Sequence, residues 1–371
     1  MKVLISFLSF GIDVFAGMER SIHNFANGLI DVGSQVIIYT GKMNYSNKLH
    51  SQKYKVYVDD MLYHEACCLN NIDQEILSSY EANNEDMLRN LKDIIHNEKP
   101  DYILVEDHLW GIIPYLNVKR ICDCKVGILF HMLHNEHLIL QCLDYSFDDF
   151  FCVSQYVKLA LDDIMYKEWG KKKHNIKILP NSIEKDFFVQ NREMKHITKV
   201  FCNARISKEK GIDVLLEAWN LIMQSERKIE LYLTAGFFHF LPQDTIFKRI
   251  EALNFKYNNI KLLSNIHWSD IPRLYSTMDL VVLPSRSESF GMAALEALAS
   301  GCMLITSSAG NLKYLMEGIT QTYNPEDSYT LAQLIQNALD GTFYYNYNLA
   351  NSRALLYLNT QVASNWREMV L

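Results

Sequence analysis

Short apolar runs alternate with amphipathic segments along almost the whole chain. Such runs are typical of strands that are buried on both faces of a parallel sheet. They are Lys2 to Ser6, Gln35 to Thr40, Tyr102 to Glu106, Lys125 to Phe130, Phe150 to Ser154, Ile176 to Leu179, Lys199 to Asn203, Glu230 to Ala235, Ile260 to Leu263, Leu280 to Leu283 and Met303 to Ser307. The intervening segments predict helices, among them Met18 to Val32, Asn84 to Glu98, Gln155 to Tyr166 and Ile212 to Ser225. We therefore predict an α/β fold with helices on both faces of parallel sheets.

The run from Pro284 to Gly301 carries two carboxylates around a turn. Glu288 and Glu296 are eight residues apart, and they follow a predicted buried strand. The stretch from Phe290 to Ser300 is rich in Ala, Leu and Met, which predicts a helix. Glu288 would reach hydroxyls of a group beyond a phosphate, and Glu296 could face a ribose.

The start of this helix predicts a phosphate position. If Ser289 caps the helix, the backbone N–H groups of Phe290, Gly291 and Met292 point out of its positive end. An anion binds favourably there. Gly291 would leave room for its approach.

Two cations occupy an equivalent place earlier in the chain. Arg205 and Lys210 follow the strand Lys199 to Asn203 and precede the helix Ile212 to Ser225. Both should lie at the carboxyl end of a sheet, where ligands bind in open α/β folds. Taken singly, such charged pairs usually belong to a solvated surface. Occurring together and in this order, the cations and the two glutamates favour a site for a sugar nucleotide.

These segments resemble the retaining glycosyltransferases of the GT-B fold, in particular family 4. PSRSESFGMAALEALASG resembles the E-x7-E signature of that family, and NARISKEKG resembles its G-R-L-x-x-x-K-G segment. The resemblance implies two Rossmann-like domains that face each other across a cleft. It also implies that Arg205 and Lys210 grip the donor diphosphate, while Glu288 contacts and positions the transferred sugar.

Two more segments resemble family motifs, with substitutions. LPNSIE resembles the I-P-N-G-[IV]-D segment that joins the domains, and it has Ser182 in place of the glycine. The loop Gly11 to Gly17 resembles a G-G-x-E segment. It keeps Gly17 and Glu19, whereas Ala16 replaces the first glycine. Gly17 is accordingly predicted to contact the donor diphosphate.

The length of 371 residues favours two domains. We predict an acceptor-side domain over residues 1–175 and a nucleotide-sugar-binding domain over residues 176–354, with a hinge within 175–198. The resemblance implies that a last helix, within about 355–371, crosses back to the first domain.

His131 directly follows the predicted strand Lys125 to Phe130. Ligands of open sheets lie at such strand ends. The family has a histidine at this position beside the donor sugar, so the resemblance implies a catalytic role for His131. A hydrogen-bonded structural histidine is the alternative. His134 and His137 lack nearby ligand residues and are predicted to face solvent rather than a metal.

Composition narrows the partners and the compartment. The formal charge of −7 argues against nucleic acid or an anionic membrane as the main partner. The eight cysteines show no C-x-x-C spacing, which favours reduced thiols and a cytoplasmic location. MKVLISFLSF is interpreted as the first strand rather than a signal peptide. No segment approaches the roughly 18 apolar residues that a membrane span requires.

No D-x-D motif, which could hold a divalent ion, occurs in the chain. We therefore expect Arg205, Lys210 and a helix N-terminus to neutralise the leaving diphosphate, with no metal or cofactor. Family frequency favours a UDP-hexose or UDP-N-acetylhexosamine as donor. Its base is predicted to lie near Ala235, Gly236 and Asn265 to His267.

The acceptor is predicted to be a saccharide, a lipid-linked sugar or a small glycosylated metabolite. It should meet the first domain at the Gly11 to Gly17 loop, the segment Tyr45 to Glu65 and the helix from Met132 onward. The basic run Trp169 to His174 could dock on anionic lipid headgroups at the inner face of a membrane. Lysines in a loop are more often simply solvated.

Other functions remain open, because the same fold serves sugar phosphorylases and nucleotide-sugar epimerases. A non-catalytic partner in a glycan synthesis complex is a third alternative. Ala309 to Leu315 has Lys313 where the family usually has a glutamate. The two cations and two glutamates of the predicted site nevertheless favour an active hexosyltransferase.

Overall fold

The computed structural model describes residues 1–7, 17–43, 53–64, 84–106, 122–131, 133, 136–189, 192, 196–225, 227–235, 244–264 and 266–371. The chain divides into two compact units. Met1–Ser182 and Asn359–Leu371 form the first, and Ile183–Leu358 form the second. Residues 176–182 lie with the first unit because β7 (Ile176–Ile178) pairs with its neighbour in that unit's sheet.

The first unit is an α/β unit with a parallel sheet. Up to residue 182 its elements are β1 (Lys2–Ser6), α1 (Gly17–Asp31), β2 (Gln35–Met43), β3 (Lys55–His64), α2 (Asn84–Glu98), β4 (Tyr102–Glu106), β5 (Lys125–Phe130), α3 (Glu136–Asp144), β6 (Asp149–Cys152), α4 (Gln155–Trp169) and β7. The strand order is β3-β2-β1-β4-β5-β6-β7, and all the pairings are parallel.

The second unit repeats this organisation with fewer strands. Its elements are β8 (Lys199–Cys202), α5 (Ile212–Met223), β9 (Glu230–Ala235), α6 (Asp244–Tyr257), β10 (Ile260–Ser264), α7 (Ile271–Ser276), β11 (Leu280–Leu283), α8 (Met292–Ala299), β12 (Met303–Thr306), α9 (Leu312–Leu315), α10 (Ser328–Leu339) and α11 (Tyr347–Leu355). The parallel order is β10-β9-β8-β11-β12. The predicted α/β fold with parallel sheets is therefore confirmed.

The last helix, α12 (Asn359–Val370), packs on α1 within the first unit. Trp366 is fully buried and meets Phe25 and Tyr102 edge to face. Gly28 permits the close approach, since a Cβ at this position would lie 2.3 Å from the carbonyl oxygen of Asn359. A side chain at position 28 would therefore force the two helices apart.

Two differences from the sequence prediction stand out in the first unit. The predicted strand Phe150 to Ser154 ends at Cys152, because Ser154 instead caps α4 by accepting a hydrogen bond from the Val157 N–H. In addition, β3 lies within the segment Tyr45 to Glu65, which the sequence analysis assigned only to acceptor contact. Within the described residues, no helix combines the length and apolar composition needed to cross a bilayer.

Candidate functional site

The two charged segments meet at one edge of the second unit's sheet. β8 and β11 are hydrogen-bonded neighbours, although residues 203–279 separate them in sequence. From β8 the chain proceeds to β9 and β10 on one side, whereas β11 and β12 lie on the other. This reversal of strand order is a topological switch point, the usual ligand position in open α/β sheets.

The turn that carries Lys210 fits tightly against the loop after β11. Lys208–Lys210 forms a single 3₁₀ turn that ends at Gly211, whose φ of 63° is left-handed. A Cβ at Gly211 would lie 1.9 Å from the carbonyl oxygen of Pro284. Only glycine combines this conformation with so close a backbone approach.

The fold brings Lys210 and Glu288 together. The Lys210 Nζ lies 2.7 Å from the Glu288 Oε2, and the two side chains are 19% and 20% exposed. Arg205 instead pairs with Glu209 of the same turn at 3.1 Å, and its side chain is 46% exposed. Of the two predicted diphosphate cations, Lys210 thus has the more enclosed position.

The segment around Lys313 supports the Glu288 loop from one side. Gly310 has a φ of 54°, and a Cβ there would lie 1.9 Å from the Glu288 carbonyl oxygen. Asn311 donates from its backbone N–H to that same oxygen at 2.9 Å and from its side chain to the Phe290 carbonyl at 2.9 Å. The Lys313 side chain is exposed and lies over the Tyr314 ring.

Helix α8 begins later than predicted. Its N-cap is Gly291, with a φ of 101°, and no side chain caps it, so the prediction of a Ser289 cap was wrong. Phe290 lies before the helix, where it is buried and packs edge to face against Tyr357. The first helical bond runs from the Leu295 N–H to the Gly291 carbonyl, so the N–H groups from Gly291 to Ala294 have no partner within the helix.

Glu296 is fully buried on α8 and links this helix to the first charged segment. Its Oε2 accepts a hydrogen bond from the Asn203 amide at 3.3 Å, and the same amide donates to the Tyr275 hydroxyl at 3.1 Å. The Tyr275 hydroxyl donates to the Ala293 carbonyl at 3.2 Å. Sequence reasoning missed Tyr275, since only the contact reveals it, whereas Asn203 stood within the quoted motif.

Three further residues of the predicted motifs, Gly17, Glu19 and His131, belong to the first unit. Gly17 is the first residue of α1, and Glu19 is buried in its first turn. His131 directly follows β5 and is also buried. The ligand contacts predicted at residues 11–16, Met132, Gly236 and Asn265 lie outside the described residues, as do 44–52 and Glu65 of the predicted acceptor segment.

Two of the three lysines in the basic run Trp169 to His174 form ion pairs. Lys172 lies 2.6 Å from Asp162, and Lys173 pairs with Asp144. Lys173 also lies over the Trp169 ring. These contacts within the first unit reduce the positive charge available to a lipid surface.

The buried thiols are chemically quiet. Burial raises the pKa of Cys202 to about 12 and that of Cys302 to about 11, so both remain protonated at neutral pH. None of the six cysteines that the structure describes forms a disulfide. Over the same described portion of the chain, no cluster of three or more His, Cys, Asp or Glu is arranged to hold a metal ion.

Residues 182–346 match the family model described as Glycosyl transferases group 1. This part of the chain, 165 of its 371 residues, is similar to the group 1 glycosyltransferases. The matched region contains the whole Lys210, Glu288 and Glu296 arrangement.

Curated relatives match the chain over part of their own length. Mannosylfructose-phosphate synthase from Agrobacterium fabrum is 26% identical over 165 residues, which are 40% of this chain and 36% of that protein. The UDP-N-acetylglucosamine–peptide N-acetylglucosaminyltransferase GtfA subunit from Streptococcus pneumoniae is 24% identical over 260 residues, 64% of this chain and 49% of that protein. The chain thus spans about a third to a half of these relatives.

Solved structures match over the whole chain. Sucrose-phosphate synthase from Thermosynechococcus elongatus has a TM-score of 0.77 at 17% identity, covering 99% of this chain and 98% of that one. HepE from Anabaena, solved in complex with UDP and glucose, has a TM-score of 0.73 at 16% identity, covering 100% and 99%. These likenesses show that the chain has the GT-B fold.

Proposed function

We propose that this protein is a group 1 glycosyltransferase that transfers a hexosyl group from a nucleotide sugar to a hydroxyl of an acceptor, as a family 4 enzyme with retention of configuration. The observation that carries the proposal is the Lys210–Glu288 pair, 2.7 Å apart, at the switch point between β8 and β11. Ligands bind at such points in open α/β sheets. A cation and a carboxylate there suit a diphosphate and the sugar attached to it.

Donor binding is proposed to redistribute this ion pair. A diphosphate near the first turn of α8 would attract the Lys210 ammonium, because the phosphate oxygens compete with Glu288 for it. The Glu288 carboxylate would then accept hydrogen bonds from sugar hydroxyls. Glu288 therefore positions the sugar and does not attack it.

The transfer step is proposed to occur on one face of the sugar. The bond between the anomeric carbon and the phosphate oxygen breaks, and the acceptor oxygen bonds to the anomeric carbon on the same face. The acceptor proton passes to the departing phosphate oxygen. His131 is proposed to lie beside the donor sugar, and Gly17 beside the diphosphate, as the family resemblance implies.

Charge on the leaving diphosphate is proposed to be stabilised without a metal. Arg205, Lys210 and the first-turn N–H groups of α8, which include Met292, would supply the positive potential. Removing divalent ions with EDTA should leave the rate unchanged. A loss of activity that manganese restores would contradict this part of the proposal.

UDP-hexose or UDP-N-acetylhexosamine is the donor we propose. Support comes from HepE, a similar fold solved with UDP and glucose, and from the peptide N-acetylglucosaminyltransferase subunit named for its UDP-sugar. Glu296 is assigned to the ribose hydroxyls. That contact requires local opening around α8, because Glu296 is fully buried in this structure.

The acceptor is proposed to be a saccharide, a lipid-linked sugar or a small glycosylated metabolite, and the compartment to be the cytoplasm. Reduced thiols, which the cysteine spacing favours, persist in such a compartment. Peripheral contact with the inner membrane face would depend mainly on Lys171, because Lys172 and Lys173 are ion-paired.

The test is thermal stabilisation of the purified protein by UDP, GDP and ADP, and then by their sugars. At 100 times its dissociation constant, a bound nucleotide adds about 2.7 kcal/mol to the free energy of unfolding. Lys210→Ala should remove most of the stabilisation. Lys261→Ala is the control. Lys261 lies on the edge strand β10 and forms an exposed pair with Glu230 of β9. The proposal fails if no nucleotide stabilises the wild type.

A further inference from the structure

Arg286 lies in the loop after β11 and uses every donor of its guanidinium, which has five N–H groups. Its Nη1 donates to the Lys208 carbonyl and to Asp213 Oδ1, both at 2.7 Å. Its Nη2 donates to Asp213 Oδ2 at 2.8 Å and to Glu326 Oε2 at 2.9 Å. Its Nε donates to Glu326 Oε1 at 2.5 Å. Two carboxylates are thus bound in bidentate fashion, and one backbone carbonyl completes the set.

These bonds hold the Lys210 turn on both sides. The Arg286 backbone N–H donates to the Glu209 carbonyl at 2.7 Å, so the carbonyls of both residues before Lys210 are tied to Arg286. Asp213, in the first turn of α5, follows Lys210 in the chain, so Arg286 contacts the chain both before and after Lys210. The turn therefore cannot shift without breaking several charge-assisted hydrogen bonds.

The guanidinium of this cluster is largely buried. The Arg286 side chain is 17% exposed. Its hydrogen bonds lower the pKa of the Asp213 and Glu326 carboxyls, so both are ionised at neutral pH. Because no guanidinium donor is left over, Arg286 itself has no N–H to offer a phosphate.

We propose that Arg286 is a positioning residue that fixes the Lys210 ammonium beside Glu288 and thereby sets the affinity of the site for a diphosphate. The ligand named here rests on the proposed function, whereas the fixing of the turn does not. Lysine cannot take over this role, since an ammonium has three donors on a flexible stem and cannot bind two carboxylates and a carbonyl in one plane.

The first experiment needs no ligand. Amide hydrogen exchange would be compared in the wild type, Arg286→Lys and the control Arg227→Lys. Arg227 belongs to the same unit but makes an exposed ion pair with Asp340, 2.6 Å away. We expect the Lys210 and Gly211 amides, which donate to Ser207 and Lys208, to exchange about tenfold faster in Arg286→Lys only.

The second experiment measures the dissociation constants of UDP and UMP. Arg286→Lys should weaken UDP binding by about tenfold and UMP binding by less than about twofold, because UMP lacks the second phosphate. Arg227→Lys should change neither. If Arg286→Lys does not fold, Glu326→Gln replaces it, with about a threefold loss expected for UDP, because one of the two carboxylate pairs is weakened.

The outcomes separate the two proposals. Unchanged amide exchange in the folded variant, or equal losses for UDP and UMP, would overturn the positioning role. If the wild type binds neither nucleotide, the proposed donor fails, and the exchange measurement alone decides whether Arg286 fixes the turn.

Discussion

The two units share a strand order but have ion clusters at opposite ends of their sheets. In the second unit, Arg286 joins two carboxylates at the carboxyl ends of β8 and β11. In the first unit, Glu98 accepts from Lys55 at 2.8 Å and from the Tyr57 hydroxyl at 2.5 Å, and it lies 3.5 Å from the Lys2 ammonium. Lys2 and Lys55 begin β1 and β3, so this cluster lies at the amino ends.

The difference shows that similar ion clusters have different roles according to their place on the sheet. Each cluster has one enclosed ion between two opposite charges. Connections at the carboxyl ends of parallel strands carry ligand-binding groups, whereas the amino ends only return the chain to the sheet. We therefore expect the Arg286 cluster to control ligand binding and the Glu98 cluster to control stability.

The largest expected effect is that of Glu288→Gln. Gln keeps the size of the side chain but loses the negative charge of the carboxylate, which accepts hydrogen bonds from the sugar hydroxyls. The release of UDP from the sugar nucleotide should therefore slow by about 100-fold. UDP itself should bind about two- to fivefold more tightly, because the carboxylate no longer competes for Lys210. Calorimetric titration and donor hydrolysis measure the two effects. Weaker UDP binding would contradict the proposed exchange of partners.

Gly211→Ala should have the next largest effect. The left-handed backbone and the 1.9 Å approach to the Pro284 oxygen both oppose a Cβ. We expect a loss of about 2–3 kcal/mol in unfolding free energy, together with weaker UDP binding.

The control is Gly341→Ala in the same unit, where φ is 72° and a Cβ would meet no atom within 4 Å. It carries the backbone cost of about 1 kcal/mol without the clash. Equal losses in the two variants, measured by urea denaturation, would show that the contact between the turn and the loop is not rigid.

The smallest expected effect is that of Glu98→Gln. Hydrogen bonds from Lys55 and Tyr57, with attraction from both lysines, lower the pKa of Glu98 to about 2 from an ordinary value of 4.5. The carboxylate therefore stabilises the fold above about pH 4.5, and this contribution is lost as the pH falls through about 2. At pH 7 the variant should lose about 1–2 kcal/mol of unfolding free energy, with unchanged UDP affinity.

Denaturation between pH 2 and pH 7 tests that sign, since the gap between variant and wild type should close toward acid. Arg89→Gln is the control, because Arg89 and Asp86 form an exposed pair worth little. A gap that is constant with pH would remove Glu98 ionisation as its cause, and weaker UDP binding would break the contrast between the two clusters.

Much of the fold could be predicted from local pattern. The strands Tyr102–Glu106, Lys125–Phe130, Glu230–Ala235 and Leu280–Leu283 have the predicted bounds, as does the helix Asn84–Glu98. Each is an uninterrupted apolar run or a regular amphipathic segment, so local spacing suffices. β3 was missed because KVYVDDMLYH places two acidic residues in mid-run. The structure buries the first of them, Asp59, where it accepts from Asn90.

The start of α8 shows where local pattern fails. Ser289 is a good N-cap residue by type. In the structure Phe290 is instead buried against Tyr357, far along the chain, and the helix starts at Met292 after a left-handed Gly291. The same limit concealed Tyr275 and Arg286, whose partners are set by contacts between segments distant in sequence.

The sequence by itself determined the α/β class and the order of the charged residues, because both follow from residue types and short spacings. Tertiary structure alone decided that Lys210 pairs with Glu288, 78 positions away, and that Arg286 pairs with Asp213, 73 positions away. The physical reason is that β8 and β11 become neighbours only when the sheet forms, and this non-local pairing fixes which charges share an enclosed space.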